Sequence, residues 1–376
     1  MRIAIDYTAA ITQSAGIGRY TRNLVQSLAS LHTTDDFTLF SSELPRSPYH
    51  LPQTSNMHPR LMNIGNRRMT ILWHRAHMPL PAELVMGFAD VIHGPDFSLP
   101  PVLRARRVVT IHDLAFITHP DCAVPSLTRY LHHVVPRAVK AADRVIAVSQ
   151  RTADDLVEYL HVPATKIATI HLGIDEAFCA SPSTEAIRNV VAKYRLSQPF
   201  VLAIGTIEPR KNYESLIRAF AEARYLPDGP RMLVIAGRKG WMYEGVFAAV
   251  RDLNLGDAVR FVDYVPDDEL VPLLHAAAAL AMPSLYEGFG IPVVEAMAAG
   301  TPVICSTGGS LPEIAGDAAL IVPPTDIGAL RDALVLVIRD HEIRESLKQR
   351  GHERARLFNW KVAAQAHLDV YHQLAR

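Results

Sequence analysis

Short runs rich in Val, Ile and Leu alternate along the chain with longer segments in which apolar residues recur at helical spacing. In the first half the runs are RIAID (2–6), FTLF (37–40), VIHG (91–94), RVVTI (107–111), RVIAV (144–148) and KIATI (166–170). In the second they are FVLAIG (200–205), MLVIAG (232–237), VRFVDY (259–264), LAMPS (280–284), PVICS (302–306) and ALIVPP (319–324). Runs that stay apolar without alternating suit parallel strands covered on both faces. Strands separated by helical patterns predict βαβ units and doubly wound α/β sheets.

Between the two sets, ASPSTEAIRNVVAKYRLSQP (180–199) is richer in Ser, Pro and polar residues, and a fresh buried strand opens at Phe200. The pattern predicts an N-terminal Rossmann-like domain over 1–175, a linker over 176–199 and a C-terminal Rossmann-like domain over 200–359. A closing helix over 360–376, with Val362, His367, Val370, Tyr371 and Leu374 on its apolar spacing, is expected to return to the N-terminal domain.

A length of 376 residues suits two domains, and 49% hydrophobic residues supply core for both, which excludes general disorder. Lys and Arg number 38, as do Asp and Glu, so the basic excess of a nucleic-acid binder is missing. Cys122, Cys179 and Cys305 lie far apart with no C-x-x-C pair, so reduced thiols and a cytoplasmic location are expected. MRIAIDYT lacks the basic region and long apolar stretch of a signal peptide. The longest uncharged apolar stretch, Leu270 to Tyr286, is broken by Pro272, His275, Pro283 and Ser284 and falls short of the roughly 18 residues a membrane span needs. Charge is uneven in one place. From Leu44 to Ala82 there is no acid, but Arg46, Arg60, Arg67, Arg68 and Arg75 are present, with His50, His58, His74, His77, Trp73 and several Met. Such a stretch suits either a solvated surface or a basic patch that meets an anionic membrane or a phosphate-bearing acceptor.

The candidate chemistry is concentrated in LYEGFGIPVVEAMAAGTPVICS (285–306). A strand is expected before it, Gly288 and Gly290 turn the chain, and Pro292 is placed as the first residue of a helix. A strand, a glycine turn and a helix N-terminus make an anion site, because free N–H groups and the positive end of the dipole favour phosphate. Glu287 precedes the helix and Glu295 lies about one turn in, so both would flank a bound diphosphate; a carboxylate there can accept ribose hydroxyls. In GTIEPRKN (205–212), Asn212 is placed as an N-cap, so Arg210 and Lys211 stand at a helix start, where positive charge opposes the dipole unless an anion is held nearby. His112 and Asp113 close a strand at its carboxyl end, where open α/β sheets place ligands. No H-x-x-x-H, His/Cys cluster or D-x-D motif is present, so no metal is expected.

The string EGFGIPVVEAMAAGTPVI resembles the donor-site signature of the retaining glycosyltransferases of family 4, which have the GT-B fold. AGIGRY (15–20), IHD (111–113), VIAVSQRTADDL (145–156), HLGID (171–175), GTIEPRKN and VIAGRKGW (234–241) extend the resemblance over nearly the full chain. It implies two Rossmann-like domains facing across a cleft, and transfer of a hexose from a nucleoside diphosphate sugar to a hydroxyl of a glycan or lipid-diphosphate-linked acceptor. His112, Arg210, Lys211 and Glu287 would be catalytic, with His112 facing the donor sugar and Glu287 binding its hydroxyls. Gly16, Gly18, Gly205, Thr206, Gly237, Tyr264, Val265, Gly288, Phe289, Gly290, Ile291 and Glu295 would bind the donor, Glu295 through the ribose. Arg19 and Asp113 would lie on the acceptor side. The commonest pattern of the family has an Arg where Thr206 stands, and Arg210 is then expected to supply the missing cation. GTIEPRKN and LVIAGRKGW are similar to segments of bacterial O-antigen and exopolysaccharide mannosyltransferases, which points to GDP-mannose as donor, with no cofactor besides that co-substrate. Such work would place the chain at the inner face of the cell membrane. Three other readings compete. In a dinucleotide dehydrogenase, Gly16-x-Gly18-x-x-Thr21 would need a third glycine and a position directly after its strand. A sugar-nucleotide epimerase would share the phosphate grips, and a non-catalytic polysaccharide-assembly subunit would not need intact Glu287, Glu295, Lys211 and His112.

Overall fold

The computed structural model describes residues 1–13, 16–45, 51–75, 78 and 80–375, without the side chain of Arg75. Arg46, His50 and His77 of the basic stretch, and Ala15 of AGIGRY, therefore lie outside the described residues. The chain divides into two compact units. One holds residues 1–117, 126–173 and 359 onward; the other holds 118–125 and 174–358.

The first unit is built on seven strands: β1 (Arg2–Asp6), β2 (Asp36–Ser41), β3 (Met57–Leu61), β4 (Val91–Gly94), β5 (Arg106–Ile111), β6 (Arg144–Ala147) and β7 (Ile167–Thr169). They run parallel in the order β3-β2-β1-β4-β5-β6-β7. Six of the seven follow the apolar runs of the sequence. The exception, β3, reads MHPRL with three exposed residues, as an edge strand that needs no second apolar face can. The second unit carries β8 (Phe200–Ile204), β9 (Met232–Ala236), β10 (Val259–Asp263), β11 (Ala279–Met282), β12 (Val303–Ser306) and β13 (Ala319–Val322), parallel in the order β10-β9-β8-β11-β12-β13. Both sheets thus reverse direction once, between β1 and β4 and between β8 and β11. Ligands of open α/β sheets bind at such a reversal, beyond the carboxyl ends of the strands.

Burial follows from this layering. All five residues of β9 and all four of β11 and β12 are buried, and the core of the second unit runs through Val201, Leu216, Phe220, Ile235, Ile304 and Leu334. Each such Leu, Ile or Phe stabilises the fold by roughly 1.5–3 kcal/mol.

Two segments differ from expectation. Residues 176–199 are not bare linker: they contain the helix Thr184–Lys193, started by Ser183 Oγ, which accepts from the Ala186 N–H. The helix packs on Asp267–Ala276, where Lys193 Nζ and Tyr194 Oη donate to Glu269 at 2.5 and 2.6 Å. Ser183, one of the residues that look like linker composition, is its cap. In the final helix, Trp360–Ala375, the inward stripe is Trp360, Ala363, Ala364, His367, Leu368, Val370 and Tyr371, and Val362 is 66% exposed. Small alanines carry the close contact there, one position out of phase with the larger Val.

That helix belongs to the first unit, and a chain of buried polar groups fastens it. His367 Nδ1 donates to Ala363 O at 2.7 Å, so in the neutral ring Nε2 accepts from Tyr20 Oη at 2.9 Å. Tyr20 in turn meets Thr110 Oγ1 at 3.0 Å, Thr110 meets His93 Nε2 at 2.8 Å, and Tyr371 Oη lies 2.7 Å from His93 Nδ1. With both imidazoles neutral, one direction of donation satisfies every member. Gly173 must be glycine, since a Cβ there would lie 2.2 Å from Trp360 N.

Burial pushes the His367 imidazole down to about 4, and His93 well below its ordinary value. The unfolded chain takes up these protons near pH 6.5, so the native state loses stability as pH falls from about 6.5 toward 4. Melting temperatures across that window should show a fall that becomes shallower in His367→Gln. An identical slope in both proteins would show that the helix is not held by a neutral histidine.

Candidate active site

The loops that follow β8 and β11 meet at the reversal of the second sheet. After β8, Gly205 (φ +143°) leads through Thr206–Glu208 into a tight turn, Pro209–Lys211, and then the helix Tyr213–Ala223. After β11, Pro283–Gly290 leads into the helix Ile291–Ala298, with Gly290 at φ +91° before it and Pro292 in its first turn. Leu285 N–H donates to Arg210 O at 2.8 Å, and Arg210 Nη1 donates to Tyr286 O at 2.9 Å, so the two loops are tied together.

A compact ion cluster lies between them. Lys211 Nζ is 2.7 Å from Glu287 Oε1, and Arg210 Nη1 is 2.8 Å from Glu287 Oε2. The other end of the guanidinium, Nη2, is 2.6 Å from Glu208 Oε1. The four side chains are 11%, 20%, 8% and 4% exposed for Lys211, Arg210, Glu287 and Glu208, so the charges are screened little by water. Burial alone would raise the Glu287 carboxyl, but the Arg210 and Lys211 charges bring it down to about 2. Glu208 goes the other way: burial raises it more than Arg210 and Lys211 lower it. Two cations and two carboxylates can therefore exchange partners with an arriving anion.

Asn212 stands before the helix in the left-handed region (φ +54°), and its side chain does not cap it. Instead Asn212 Nδ2 donates to Pro283 O and Pro324 O at 3.0 and 2.6 Å, binding the loops after β8, β11 and β13. The glycines serve close approach. A Cβ at Gly205 would lie 2.9 Å from Lys211 Cε, and one at Gly237 would lie 1.9 Å from Gly205 O. Thr206 is exposed and packs by its methyl against Gly240. Gly288, Phe289 and Gly290 are buried, and the Phe289 ring packs edge-on against Phe358 at 5.6 Å, which leaves that turn to act through its backbone. Ile291 is half-buried, while Glu295 is only 2% exposed, one turn into the helix. Beyond β10, Val265 is buried and Tyr264 is 39% exposed, its ring 4.7 Å from the Arg238 guanidinium.

In the first unit, His112 closes β5. Its Nε2 donates to Pro95 O at 2.8 Å, its ring stands edge-on to Tyr20 at 4.8 Å, and burial pushes its pKa down. The neutral ring then presents Nδ1 as an acceptor. Asp113 Oδ1 accepts from Ala115 N–H at 3.0 Å and so shapes the turn that follows. Gly16 is exposed at φ +56° before the helix Ile17–Ser30; Gly18 is buried, and a Cβ there would lie 2.1 Å from Gln13 O. Arg19 is half-buried in that helix's first turn. Trp73 and Met69 of the basic stretch are not surface residues: they pack with Phe40 in the core, and Trp73 Nε1 donates to Leu80 O at 3.0 Å. Arg60, Arg67 and Arg68 are exposed.

Several residues of the site escape a reading of the sequence. Glu208 sits inside GTIEPRKN, but no spacing rule marks it as the second partner of Arg210. In the loop after β12, Ser310 N–H donates to Glu287 O at 2.9 Å, and a Cβ on Gly309 would lie 2.2 Å from the same oxygen. The pair Gly308–Gly309 after an apolar run is the signal that could have found it. At the reversal of the first sheet, Asp6 closes β1 and Asp96 follows β4. Gln13 Nε2 donates to Asp96 Oδ2 at 3.2 Å, and burial together with the Asp6 charge pushes Asp96 up to about 6.

Known proteins carry the same pattern. Residues 183–354 match the model of Glycosyl transferases group 1, and residues 14–178 match Glycosyltransferase Family 4. The chain is 31% identical over 368 residues to an O-antigen chain mannosyltransferase B of Escherichia coli, covering 95% of each. It is 32% identical over 320 residues to a D-inositol 3-phosphate glycosyltransferase of Kribbella flavida, covering 79% of this chain and 74% of that one. In fold it is similar to a sucrose-phosphate synthase from Thermosynechococcus elongatus, with TM-score 0.80, 23% identity and coverage of 100% of this chain and 99% of that one.

Removing the shared carboxylate should expose what it offsets. Glu287→Gln leaves two mostly buried cations facing each other with Glu208 alone, and should lower stability by about 3 kcal/mol in urea unfolding. Because the Glu287 pKa is depressed, its contribution is complete above about pH 4.5 and is lost only toward pH 2. The deficit should therefore be equal at pH 5.5 and 8. A variant as stable as wild type would mean that the cluster is not held by this charge.

Proposed function

The chain belongs to the glycosyltransferases, with a group 1 and a family 4 domain and the GT-B fold, and we propose that it is a retaining hexosyltransferase of cell-surface polysaccharide synthesis. It moves mannose from GDP-mannose to a hydroxyl of a glycan or lipid-diphosphate-linked acceptor. The observation that carries this reading is the buried cluster of Arg210 and Lys211 against Glu287 at the carboxyl ends of β8 and β11. The similarity to the O-antigen mannosyltransferase supports the sugar and the pathway class.

In this proposal the donor diphosphate takes over part of the charge that Glu287 and Glu208 now meet. Arg210, Lys211 and the backbone N–H groups of the Gly288–Gly290 turn stabilise the negative charge that grows as the anomeric C–O bond breaks; such stabilisation is usually the largest catalytic effect. Glu287, released from the cations in part, accepts hydrogen bonds from sugar hydroxyls, and Glu295 serves the ribose. The acceptor oxygen bonds to the anomeric carbon on the face the phosphate leaves, and its proton passes to the departing phosphate oxygen. No protein nucleophile and no metal is needed. His112, as a neutral ring with an acceptor nitrogen, serves the donor sugar.

A donor screen by calorimetry with GDP- and UDP-sugars tests the base and the sugar together, and GDP-mannose should bind best. Lys211→Ala should lower kcat/KM by ~10²-fold or more, and transfer should survive excess EDTA. Wild-type turnover in Lys211→Ala would remove the diphosphate assignment, and loss of activity in EDTA restored by Mn²⁺ would replace the cation pair with a metal.

A lipid-linked acceptor would require a membrane contact. Leu84, Phe88 and Leu103 are 62%, 74% and 71% exposed, and Glu83 ties their segments together by accepting from the Leu103 and Arg104 N–H groups at 2.9 and 3.0 Å. Arg60, beside Gly87, adds positive charge to this apolar ridge. Phe88→Ser with Leu103→Ser should reduce co-sedimentation with anionic vesicles while leaving donor affinity unchanged. Equal sedimentation of variant and wild type would retire the membrane contact alone.

A further inference from the structure

The second unit has another polar basin, far from the ion cluster in its own sheet. A cavity of about 510 Å³ opens at the amino ends of the strands, beside Pro199 before β8, Ala277 and Ala278 before β11, and Gly300 before β12. The Arg210–Lys211–Glu287 cluster lies at the opposite, carboxyl ends. Four side chains in its wall carry or can take positive charge: His275, Arg344, Lys348 and His352. Among the described residues, no carboxylate lines it.

Arg344 and Lys348 supply the positive charge of the wall. Arg344 Nη1 donates to Val337 O and Ile338 O, the last carbonyls of the helix Ile327–Arg339, which fixes the guanidinium at the cavity wall. Its Nε and Nη2 remain for a second partner in the planar geometry that suits phosphate. The Lys348 side chain is 39% exposed, and its Nζ is tethered by Glu345 at 2.8 Å. His275 Nε2 is buried with no hydrogen-bond partner among the described residues; because the ring donates to the Ala180 carbonyl and burial favours its neutral form, this nitrogen is an acceptor suited to a ligand hydroxyl. His352 packs directly on Gly300 (φ +72°), where a Cβ would lie 2.8 Å from its Nε2. Burial pushes His275 down, against a hydrogen bond to the Ala180 carbonyl that favours the charged form.

We propose that this basin is a binding site for a phosphorylated small molecule, distinct from the donor site. The volume exceeds what inorganic phosphate fills and lies within the roughly 300–1,000 Å³ of small-molecule sites, so the class is a phosphate monoester of sugar size. The assignment does not depend on the transferase reading, because it uses none of the donor residues.

Calorimetry with a hexose 6-phosphate, and with inorganic phosphate as the smaller probe, tests it on the full chain. Wild type and Lys211→Ala should bind one equivalent of hexose 6-phosphate with the same affinity, whereas Lys348→Glu with His352→Glu should weaken binding by about tenfold or more. Both residues are at least partly exposed, and Lys348→Gln alone gives a milder variant that should weaken binding in the same direction. Hydrogen exchange on wild type locates the ligand independently: protection should appear at 299–301 and 344–352 and not at 205–211. Binding that disappears in Lys211→Ala and persists in the Lys348/His352 variant would assign the phosphate to the donor site and overturn the proposal. Absence of binding to wild type would overturn it as well.

Discussion

Arg210 and Lys211 leave one tight turn side by side, and the single carboxylate of Glu287 faces both from the neighbouring loop. Like charges this close, and this far from water, would repel strongly without it. Much of the second unit's loop architecture serves that contact. Gly205 keeps its Cβ position empty for the Lys211 stem, Gly237 lets the β9 loop close on Gly205, and Gly309 and Ser310 hold the Glu287 backbone. Asn212, freed from capping its own helix, ties the strand ends to one another. The cluster is thus a fixed arrangement of charge, prepared before any ligand arrives, which is the condition under which electrostatic stabilisation acts at least reorganisation cost.

The sheet order explains why the cluster is where it is. Strand order reverses between β8 and β11, and the loops that follow these strands meet at that reversal, the place where open α/β sheets bind ligands. The first sheet reverses in the same way between β1 and β4, and there the half-buried Asp6 and Asp96 are acidic, with Asp96 pushed up to about 6. The two reversals therefore differ in character: a cation pair with its carboxylate partners in one unit, two carboxyl groups whose charges oppose each other in the other. His112, neutral and held by Pro95 O, stands one strand away from the second of these.

Among the described residues, twelve of the thirteen strands are legible as apolar runs because a parallel strand buried on both faces has few ways to be polar. The exception, β3, shows the limit of that rule: at an edge, one face and one ladder suffice, and MHPRL carries no apolar signature. Ser and Pro between 180 and 199 read as linker because caps and linkers share a composition. In the site, Lys211, Arg210 and Glu287 are visible in their motifs, since a basic pair at a helix start is costly alone. Glu208, the loop-tying role of Asn212 and the Gly308–Ser310 loop are not: Glu208 pairs with Arg210 two residues on but has no spacing rule, Asn212 bonds carbonyls more than 70 residues away, and the glycine loop acts by backbone approach that side-chain patterns do not encode. The buried run from His367 through Tyr20, Thr110 and His93 to Tyr371 joins residues from both ends of the chain, and only packing brings it together.

The central claim is that Arg210 and Lys211 hold the distal phosphate of a sugar-nucleotide donor. The most direct measurement compares the affinity of wild type and Arg210→Ala for a nucleoside diphosphate and for the corresponding monophosphate. Wild type should bind the diphosphate at least about tenfold more tightly, a difference of about 1.4 kcal/mol, and Arg210→Ala should lose most of that preference. An undiminished preference in the variant would contradict the account, since the second phosphate would then be held elsewhere.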